Sequence, residues 1–275
     1  MKRILILGAH SYIGTSLERR LCSHPERFSA QTLSLHGVAL ESLDFRGADV
    51  MVQVAAIVHQ REHASMASLY EAVNRDLAIA AARKAKAEGV RQFVFFSTVS
   101  VYGKITGTIA KDTPLHPATL YGRTKLEAER AIAALCDDTF TVTILRPPMV
   151  IGNGVKGNYH QLEQLIRYLP FCPDFENRRS LVRIETLCSR VAELIEHPQA
   201  GIFFPQEAEP IATRDLIEML AKQQGRTLKR TKWFNPAIRV FRCLTRTGKK
   251  AFGDLVFDGL SELPLSTVIG QEAQP

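Results

Sequence analysis

The sequence predicts an α/β fold in which a parallel sheet is followed by a smaller C-terminal lobe. Short apolar runs alternate with segments of helical periodicity over the first 150 residues, as expected for strands buried on both faces. Such strands are typical of a parallel sheet covered by helices on both sides. After Pro147 the alternation loosens and prolines become frequent. We therefore expect a first domain over residues 1–150 and a smaller lobe over 151–275.

The individual elements follow from these patterns. Strands are expected at 4–7, 32–35, 50–55, 92–96 and 141–145. Helices are expected from Tyr12 onward, at 73–87 and at 121–135. In the first helix Ile13, Leu17 and Leu21 lie at helical spacing, and Gly89 ends the second.

Composition excludes several classes of protein. The 275 residues are 45% hydrophobic and 23% charged, which rules out a disordered chain, a collagen and a small disulfide scaffold. Five scattered cysteines without a C-x-x-C pair favour free thiols in a reducing compartment. The apolar run at 4–7 is too short for a signal peptide, and the run at 50–58 is too short to span a bilayer. We therefore expect a cytoplasmic protein.

The positive charge is confined to one segment. The net charge is +7, but residues 226–250 hold nine Lys or Arg and no acid, which leaves −2 for the rest. Trp233, Ala237, Phe241 and Leu244 form an apolar stripe in this segment. Such a basic amphipathic helix can lie on an anionic membrane, or it can dock on the C-terminal lobe with a solvated basic side. No nucleic-acid-binding motif accompanies the charge, so no nucleic-acid partner is expected.

A glycine-containing turn separates the first expected strand from the first helix. Residues 8–14 read G-x-x-S-x-x-G, from Gly8 through Ser11 to Gly14. This is where a dinucleotide-binding fold holds a pyrophosphate, on a tight turn before a helix N-terminus. Ser11 can cap the helix, and its hydroxyl could reach a phosphate. The sequence therefore predicts a Rossmann-type doubly wound sheet. Because neither an acid nor a base follows at 34–37, NAD and NADP both remain open.

A second motif places a tyrosine and a lysine on one helix face. Tyr121 and Lys125 are four residues apart, so a nearby ammonium could lower the pKa of the phenol and make it an acid/base for an alcohol proton. Upstream, Ser97, Thr98 and Ser100 follow a buried strand, and their hydroxyls could hold a substrate oxygen. A surface pair and ordinary strand-end caps are the alternatives.

In this order the motifs resemble the extended short-chain dehydrogenase/reductase family, in particular its NAD-dependent nucleotide-sugar epimerase/dehydratase branch. The likeness covers residues 1 to about 205 and lies in the segments 8–14, 49–56, 97–103, 121–125 and 146–152 and in Asn74. It implies that Tyr121 is the acid/base and that Lys125 holds the nicotinamide ribose. Thr98 aligns with the catalytic hydroxyl of the family, with Ser97 as the competing choice.

The resemblance also implies binding residues. Expected cofactor contacts are Gly8, Ser11, Tyr12, Ile13, Gly14, Ala55, Ala56, Asn74, Tyr121, Lys125, Pro147 and Met149, with Asn74 bracing the neighbouring strand. Expected substrate contacts are Thr98, Asn158 and Arg179, of which Arg179 could fork onto a phosphate. The implied second lobe binds the substrate, and no metal site is expected. Members of the family commonly pair through a helical face, so a homodimer is an open expectation.

One departure from the family pattern reduces the number of reactions that the resemblance allows. The 4,6-dehydratases carry Asp-Glu ahead of V-Y-G, whereas Val99 and Ser100 stand here. This leaves NAD-dependent 4-epimerisation of a nucleotide sugar, with a UDP-sugar for surface polysaccharide as the leading expectation. The alternatives are an NAD(P)H-dependent 4-keto-sugar reductase and a non-catalytic dinucleotide sensor or scaffold.

Overall fold

The structure is a computed structural model that describes residues 1–58, 63–155 and 158–269. The strands are β1 Lys2–Leu7, β2 Phe28–Leu33, β3 Val50–Gln53, β4 Gln92–Phe96, β5 Gly107–Ile109, β6 Thr141–Leu145, β7 Met149–Ile151, β8 Cys172–Pro173, β9 Leu181–Arg183, β10 Gly201–Phe203, β11 Arg230–Thr231, β12 Leu255–Phe257 and β13 Glu262–Leu263. The helices are α1 Tyr12–Cys22, α2 Ala67–Tyr70, α3 Leu77–Ala87, α4 Leu120–Ala133, α5 Asn158–Ile166, α6 Ile184–Glu196, α7 Thr213–Gln223, α8 Asn235–Leu244, α9 Arg246–Phe252 and α10 Ser266–Ile269.

Seven strands form a central sheet in the order β13-β10-β6-β4-β3-β1-β2. All neighbours pair in parallel except β10 and β13. The chain leaves β1 for β2 on one side and later returns to β3 on the other. The carboxyl end of β1 is therefore the switch point where an α/β sheet opens a binding crevice. The expected Rossmann-type parallel sheet is confirmed.

The short strand β5 has no counterpart in the sequence prediction, and the edge strand β2 begins earlier than predicted. It covers Phe28–Leu33 rather than 32–35, in full register with β1. As an edge strand it alternates Ser29 and Gln31 with less polar residues, so it lacks the continuous apolar run that marks the inner strands. The connection from β2 to β3 holds only a single 3₁₀ turn, Leu40–Ser42.

Both faces of the sheet are buried, which explains the apolar runs. Along β1, Leu5 and Leu7 belong to one core cluster, which also receives buried residues of α3 and α4. Ile4 and Ile6 belong to a second cluster, which includes residues of α1 and α6. Strands that alternate between two such cores must be apolar at every position.

The second half of the chain contributes to both the sheet and a smaller lobe. Strands β10 and β13 belong to the central sheet, and α10 contacts α4. A third core cluster gathers residues of α5 and α7 with Ile151 and Leu181. The division at residue 150 stays a prediction for the domain boundary, and the sheet takes strands from both sides of it. No helix within the described ranges is long and apolar enough to cross a membrane.

A buried ion pair fixes the helix that carries the Tyr-Lys motif. The fully buried Arg146, just after β6, donates from Nε and Nη2 to the two carboxylate oxygens of Glu129 in α4, at 3.0 and 2.5 Å. Its Nη1 donates to the Tyr102 hydroxyl at 2.8 Å. The carboxylate raises the pKa of Arg146 against the opposing effect of burial. One guanidinium therefore joins α4, β6 and the segment after β4.

Replacing Glu129 with Gln should destabilise the protein strongly. The change leaves the Arg146 guanidinium buried without a counter-charge, which costs about 3–5 kcal/mol. The free energy of unfolding in urea measures this loss. Glu127→Gln is the matched control, because Glu127 lies on the same helix in exposed ion pairs and should cost about 1 kcal/mol or less. Equal losses in the two variants would contradict the assignment.

Candidate active site

The residues expected in the site lie at the carboxyl ends of four neighbouring strands. Gly8 follows β1, Ala55 follows β3, Thr98 follows β4 and Pro147 follows β6. These strands are adjacent and parallel, so their ends meet at one edge of the sheet. Open α/β sheets bind their ligands in the crevice at this edge.

The glycine turn is closed by the Ser11 side chain. Its hydroxyl donates to the Gly8 carbonyl at 2.8 Å and accepts from the Gly14 amide at 2.9 Å, so Ser11 is the N-cap of α1, as expected. A Cβ on Gly14 would lie 2.5 Å from Ser11 Oγ and 2.7 Å from the Gly8 oxygen. The hydroxyl proton is committed to Gly8, so Ser11 closes the turn that precedes the N-terminus of α1, where an anion would bind.

Tyr12 and Ile13 face away from this turn. The Tyr12 hydroxyl lies against the backbone after β7, since a Cβ on Gly152 would come within 2.5 Å of it. Burial raises the pKa of this phenol. Ile13 packs into the cluster shared by α1 and α6. Their side chains therefore fix α1 against its neighbours, and only their backbone lies at the helix N-terminus.

Asn74 holds the chain that leaves β3. It is fully buried, accepts from the Ile57 amide at 2.7 Å and donates to the Ile57 carbonyl at 3.0 Å. It lies in a π-helical stretch, Glu71–Asp76, that joins α2 to α3, a feature often found at functional sites. Upstream, the Ala55 amide donates to the Leu7 carbonyl at 2.9 Å, beside Gly8. This bracing keeps the exits of β1 and β3 together.

Thr98 rather than Ser97 contacts the tyrosine. The side chains of Thr98 and Tyr121 are hydrogen bonded. Thr98 also accepts from the Ser100 amide at 3.1 Å, whereas Ser97 Oγ is buried with no hydrogen-bond partner among the described residues. α4 approaches closely at Gly122, where a Cβ would lie 2.6 Å from the Ser100 carbonyl oxygen. The glycine after Tyr121 thus permits the contact with Thr98.

Burial controls the protonation of both members of the Tyr-Lys pair. It raises the pKa of Tyr121 to about 12, although the Thr98 hydrogen bond lowers it. It lowers the pKa of Lys125 to about 7, although the Glu129 carboxylate raises it. We expected Lys125 to lower the tyrosine pKa. In this structure burial outweighs any such effect, and the phenol is neutral at pH 7.

The Lys125 ammonium is an orphan. Only 1% of the residue is exposed, and Nζ has no hydrogen-bond partner among the described residues. It lies 4.2 Å from the centroid of the Phe95 ring. A buried donor without an acceptor suits a ligand that brings oxygens, such as the ribose hydroxyls of a dinucleotide. Together with the cradle formed by Gly8 and Gly14, it fits NAD.

Pro147 and Met149 connect this edge to the second lobe. The Pro147 carbonyl accepts from the Val99 amide at 3.3 Å, which ties the exit of β6 to the Thr98 segment. Met149 begins β7, which pairs in parallel with β9 from Leu181 onward. The contacts of Pro147 and Met149 with a cofactor stay predictions, as does that of Ala56.

Arg179 lies in a group of cations at the entrance to β9. Its backbone bonds to Ile211 in both directions, and its Nη1 donates to the Gly253 carbonyl at 2.9 Å. Burial lowers the pKa of Arg179, although the Asp254 carboxylate raises it. The pKa of Lys250 is lowered by burial and by Arg246 and Arg179. Such a cluster is suited to a diphosphate.

Sequence reasoning missed two parts of this arrangement. Lys250 and Arg246 were assigned to a separate basic segment, although their charge was the available signal. Glu129 is not among the expected site residues, although Tyr121, Lys125 and Glu129 are spaced four residues apart on one helix face. The side chain of Asn158 lies outside the described part of the structure. No cluster of three potential metal ligands occurs in the described residues.

Fold and site together indicate a dinucleotide-dependent enzyme in which a tyrosine and a lysine share one face of α4. The sequence matches the NAD-dependent epimerase/dehydratase family over residues 4–202. The chain belongs to this family, which is defined as NAD-dependent. The resemblance inferred from the motifs is thus confirmed.

Particular relatives can be compared over most of the chain. The UDP-glucose 4-epimerase of Vibrio cholerae is 30% identical over 247 residues, which cover 80% of this chain and 75% of that protein. An Escherichia coli O157:H7 protein, N-acetyl-α-D-glucosaminyl-diphospho-ditrans,octacis-undecaprenol 4-epimerase, is 28% identical over 59% of this chain and 53% of its own length. The solved UDP-glucuronic acid 4-epimerase of Bacillus cereus in complex with NAD has the same fold, with a TM-score of 0.68 at 19% identity over 83% and 85% of the two chains.

Lys125→Met should stabilise the cofactor-free protein at neutral pH. The folded-state pKa is about 7 and the unfolded value about 10.4, so the unfolded chain binds more protons between these values. Wild-type stability therefore rises with pH across that window, and the advantage of the variant should shrink from pH about 7 to about 10. Urea midpoints at several pH values measure it. Lys111→Met, at an exposed lysine, should keep the wild-type slope. A wild-type slope in Lys125→Met would contradict the prediction.

Proposed function

We propose that the protein is a nucleotide-sugar 4-epimerase acting on a UDP-sugar. The observation that carries this proposal is the hydrogen bond between Thr98 and Tyr121, on the helix face that also carries the orphan Lys125. This arrangement can hold a sugar hydroxyl and move its proton. The 30% identity to a UDP-glucose 4-epimerase supports the choice of reaction and of nucleotide.

Tyr121 is the proposed acid/base, and Thr98 and Lys125 assist it. Thr98 binds the sugar hydroxyl, Tyr121 accepts its proton and later returns it. Once acceptor oxygens surround Lys125 Nζ, its charged form is favoured, and the ammonium in turn favours the Tyr121 phenolate. Bound NAD would supply the hydride acceptor and donor for the sugar carbon. Hydride returned to the opposite face of the sugar would invert that carbon.

The residues around the site favour epimerisation over dehydration. Elimination of water across two carbons needs a further acid and base, and carboxylates at 99 and 100 would supply them. Val99 is partly buried there, and Ser100 is hydrogen bonded to Thr98. With a single acid/base at hand, moving one hydroxyl proton is the chemistry that these side chains can perform.

Arg179, Arg246 and Lys250 would hold the substrate diphosphate. They lie on the second lobe, which β7 and β9 join to the site edge. The similarity to an epimerase of a diphospho-undecaprenol sugar supports a role in surface polysaccharide synthesis. The homodimer and the contribution of Asn158 remain predictions.

Tyr121→Phe should abolish turnover while the protein keeps its NAD. The variant removes the proton carrier but preserves the ring, so a loss of about 100-fold or more is expected. Incubation with UDP-glucose and other UDP-sugars, followed by separation of C4 epimers and mass spectrometry, measures turnover. Absorbance of the cofactor released by denaturation measures retention. Tyr168→Phe, at an exposed tyrosine, is the matched control.

The other outcomes of this experiment identify the alternatives. Full activity of Tyr121→Phe would remove Tyr121 from the mechanism. Consumption of NADPH with a 4-keto sugar, and no epimer from any UDP-sugar, would make the protein a reductase. Retained NAD without turnover on either substrate would favour a non-catalytic sensor or scaffold.

Arg179→Ala should raise the KM for the sugar nucleotide by about tenfold or more and change kcat little, because a charge-assisted contact to phosphate is lost in ground and transition states alike. Lys250→Ala should act in the same direction. Arg178→Ala is the matched control, because this neighbouring arginine side chain is exposed. An unchanged KM in Arg179→Ala would exclude Arg179 from the diphosphate site.

A further inference from the structure

Helix α8 turns its apolar stripe away from the protein. Its inward face rests on Ile238, which is 8% exposed, and on Arg242, whose guanidinium lies 5.2 Å from the centroid of the Phe175 ring. The outward stripe comprises Trp233, Ala237, Val240, Phe241 and Leu244, with Trp233 81% and Leu244 78% exposed. Docking of α8 on the lobe thus leaves this stripe uncovered.

Unpaired cations surround the stripe. Of the nine Lys and Arg in residues 226–250, Arg230 alone forms ion pairs with described residues, to Asp215 and Glu218. Arg226 donates instead to backbone carbonyls at the end of α5. Lys232 and Arg239 are exposed, and each immediately precedes a stripe residue in the chain. The segment is therefore both apolar and strongly positive on its outer side.

We propose that this α8 surface, formed by the stripe with Lys232 and Arg239, docks on an anionic lipid bilayer. Aromatic and aliphatic side chains bury into the interface while flanking Lys and Arg contact anionic headgroups. A two-fold pairing of the same surface with a second copy would bring two unpaired positive segments together, so charge disfavours it. A nucleic acid would leave the exposed stripe without an apolar partner.

The surface is firmly joined to the substrate side of the protein. Thr245 ends α8 and caps α9, accepting from the Gly248 amide at 2.8 Å. A Cβ on Gly248 would lie 2.3 Å from the Phe241 carbonyl oxygen, so the two helices pack closely. α9 carries Arg246 and Lys250, so docking would bring the cation cluster near the headgroups. The docking itself does not depend on the proposed reaction.

Trp233 is the only tryptophan in the chain, so its fluorescence reports on this surface alone. Vesicles of phosphatidylcholine with roughly one third phosphatidylglycerol should shift its emission to the blue and carry the full-length protein upward in a flotation gradient. Phosphatidylcholine vesicles should do neither, and high salt should weaken the shift. No shift and no flotation with anionic vesicles would overturn the proposal.

Variants of surface residues distinguish binding at this site from nonspecific adsorption to vesicles. Arg239→Glu should weaken vesicle binding by about fivefold or more, and Leu244→Ser should also weaken it. The matched controls are Lys111→Glu and Val38→Ser, at an exposed lysine and an exposed valine elsewhere, which should bind like the wild type. Equal binding by all four variants would overturn the proposal. So would blue-shifted emission that depends on protein concentration without lipid, which indicates a second copy, or a shift only with a DNA oligonucleotide.

Discussion

The bidentate contact between Arg146 and Glu129 is the interaction on which the site depends. It occupies both oxygens of the Glu129 carboxylate, four residues beyond Lys125 on the same helix. Glu129 therefore influences the pKa of Lys125 but gives it no hydrogen bond. A lysine paired with that carboxylate would have fewer of its three N–H donors left for a ligand. Because Arg146 satisfies the Glu129 carboxylate, the buried Lys125 ammonium keeps its donors available for a ligand.

The unpaired state of Lys125 also helps to explain why the Tyr121 phenol is neutral in this structure. A buried lysine with a pKa near 7 exerts only part of a positive charge at neutral pH, and burial keeps the Tyr121 pKa near 12. Both shifts have one cause, the desolvation of the charged form. Oxygen acceptors at Lys125 would favour its charged form, and the ammonium in turn would favour the Tyr121 phenolate. Proton transfer by Tyr121 is thus coupled to the filling of the site.

Sequence could predict those parts of the molecule that burial on two faces dictates. Strands β1, β3, β4 and β6 and the Ser11 cap follow from local patterns that tertiary contacts reinforce. The two-residue strands of the lobe, such as β8 and β11, pair through backbone alone and leave no side-chain pattern. The Arg146–Glu129 pair could not be predicted, because a glutamate on a helix is usually exposed to solvent. Only its contact with Arg146 in the folded structure shows that it is buried.

One short stretch of chain places the two halves of the site. Arg146 is held in the core, Pro147 bonds to the segment of Thr98, and Met149 opens the strand that pairs with β9. β9 follows directly on Arg179, whose backbone is fixed to Ile211 and whose guanidinium reaches the carbonyl of Gly253 beyond α9. A few residues therefore fix the position of Tyr121 relative to the cations. The proposed 4-epimerase would gain from this coupling, because a diphosphate held by the cations would stay in place while both faces of one sugar carbon are presented in turn.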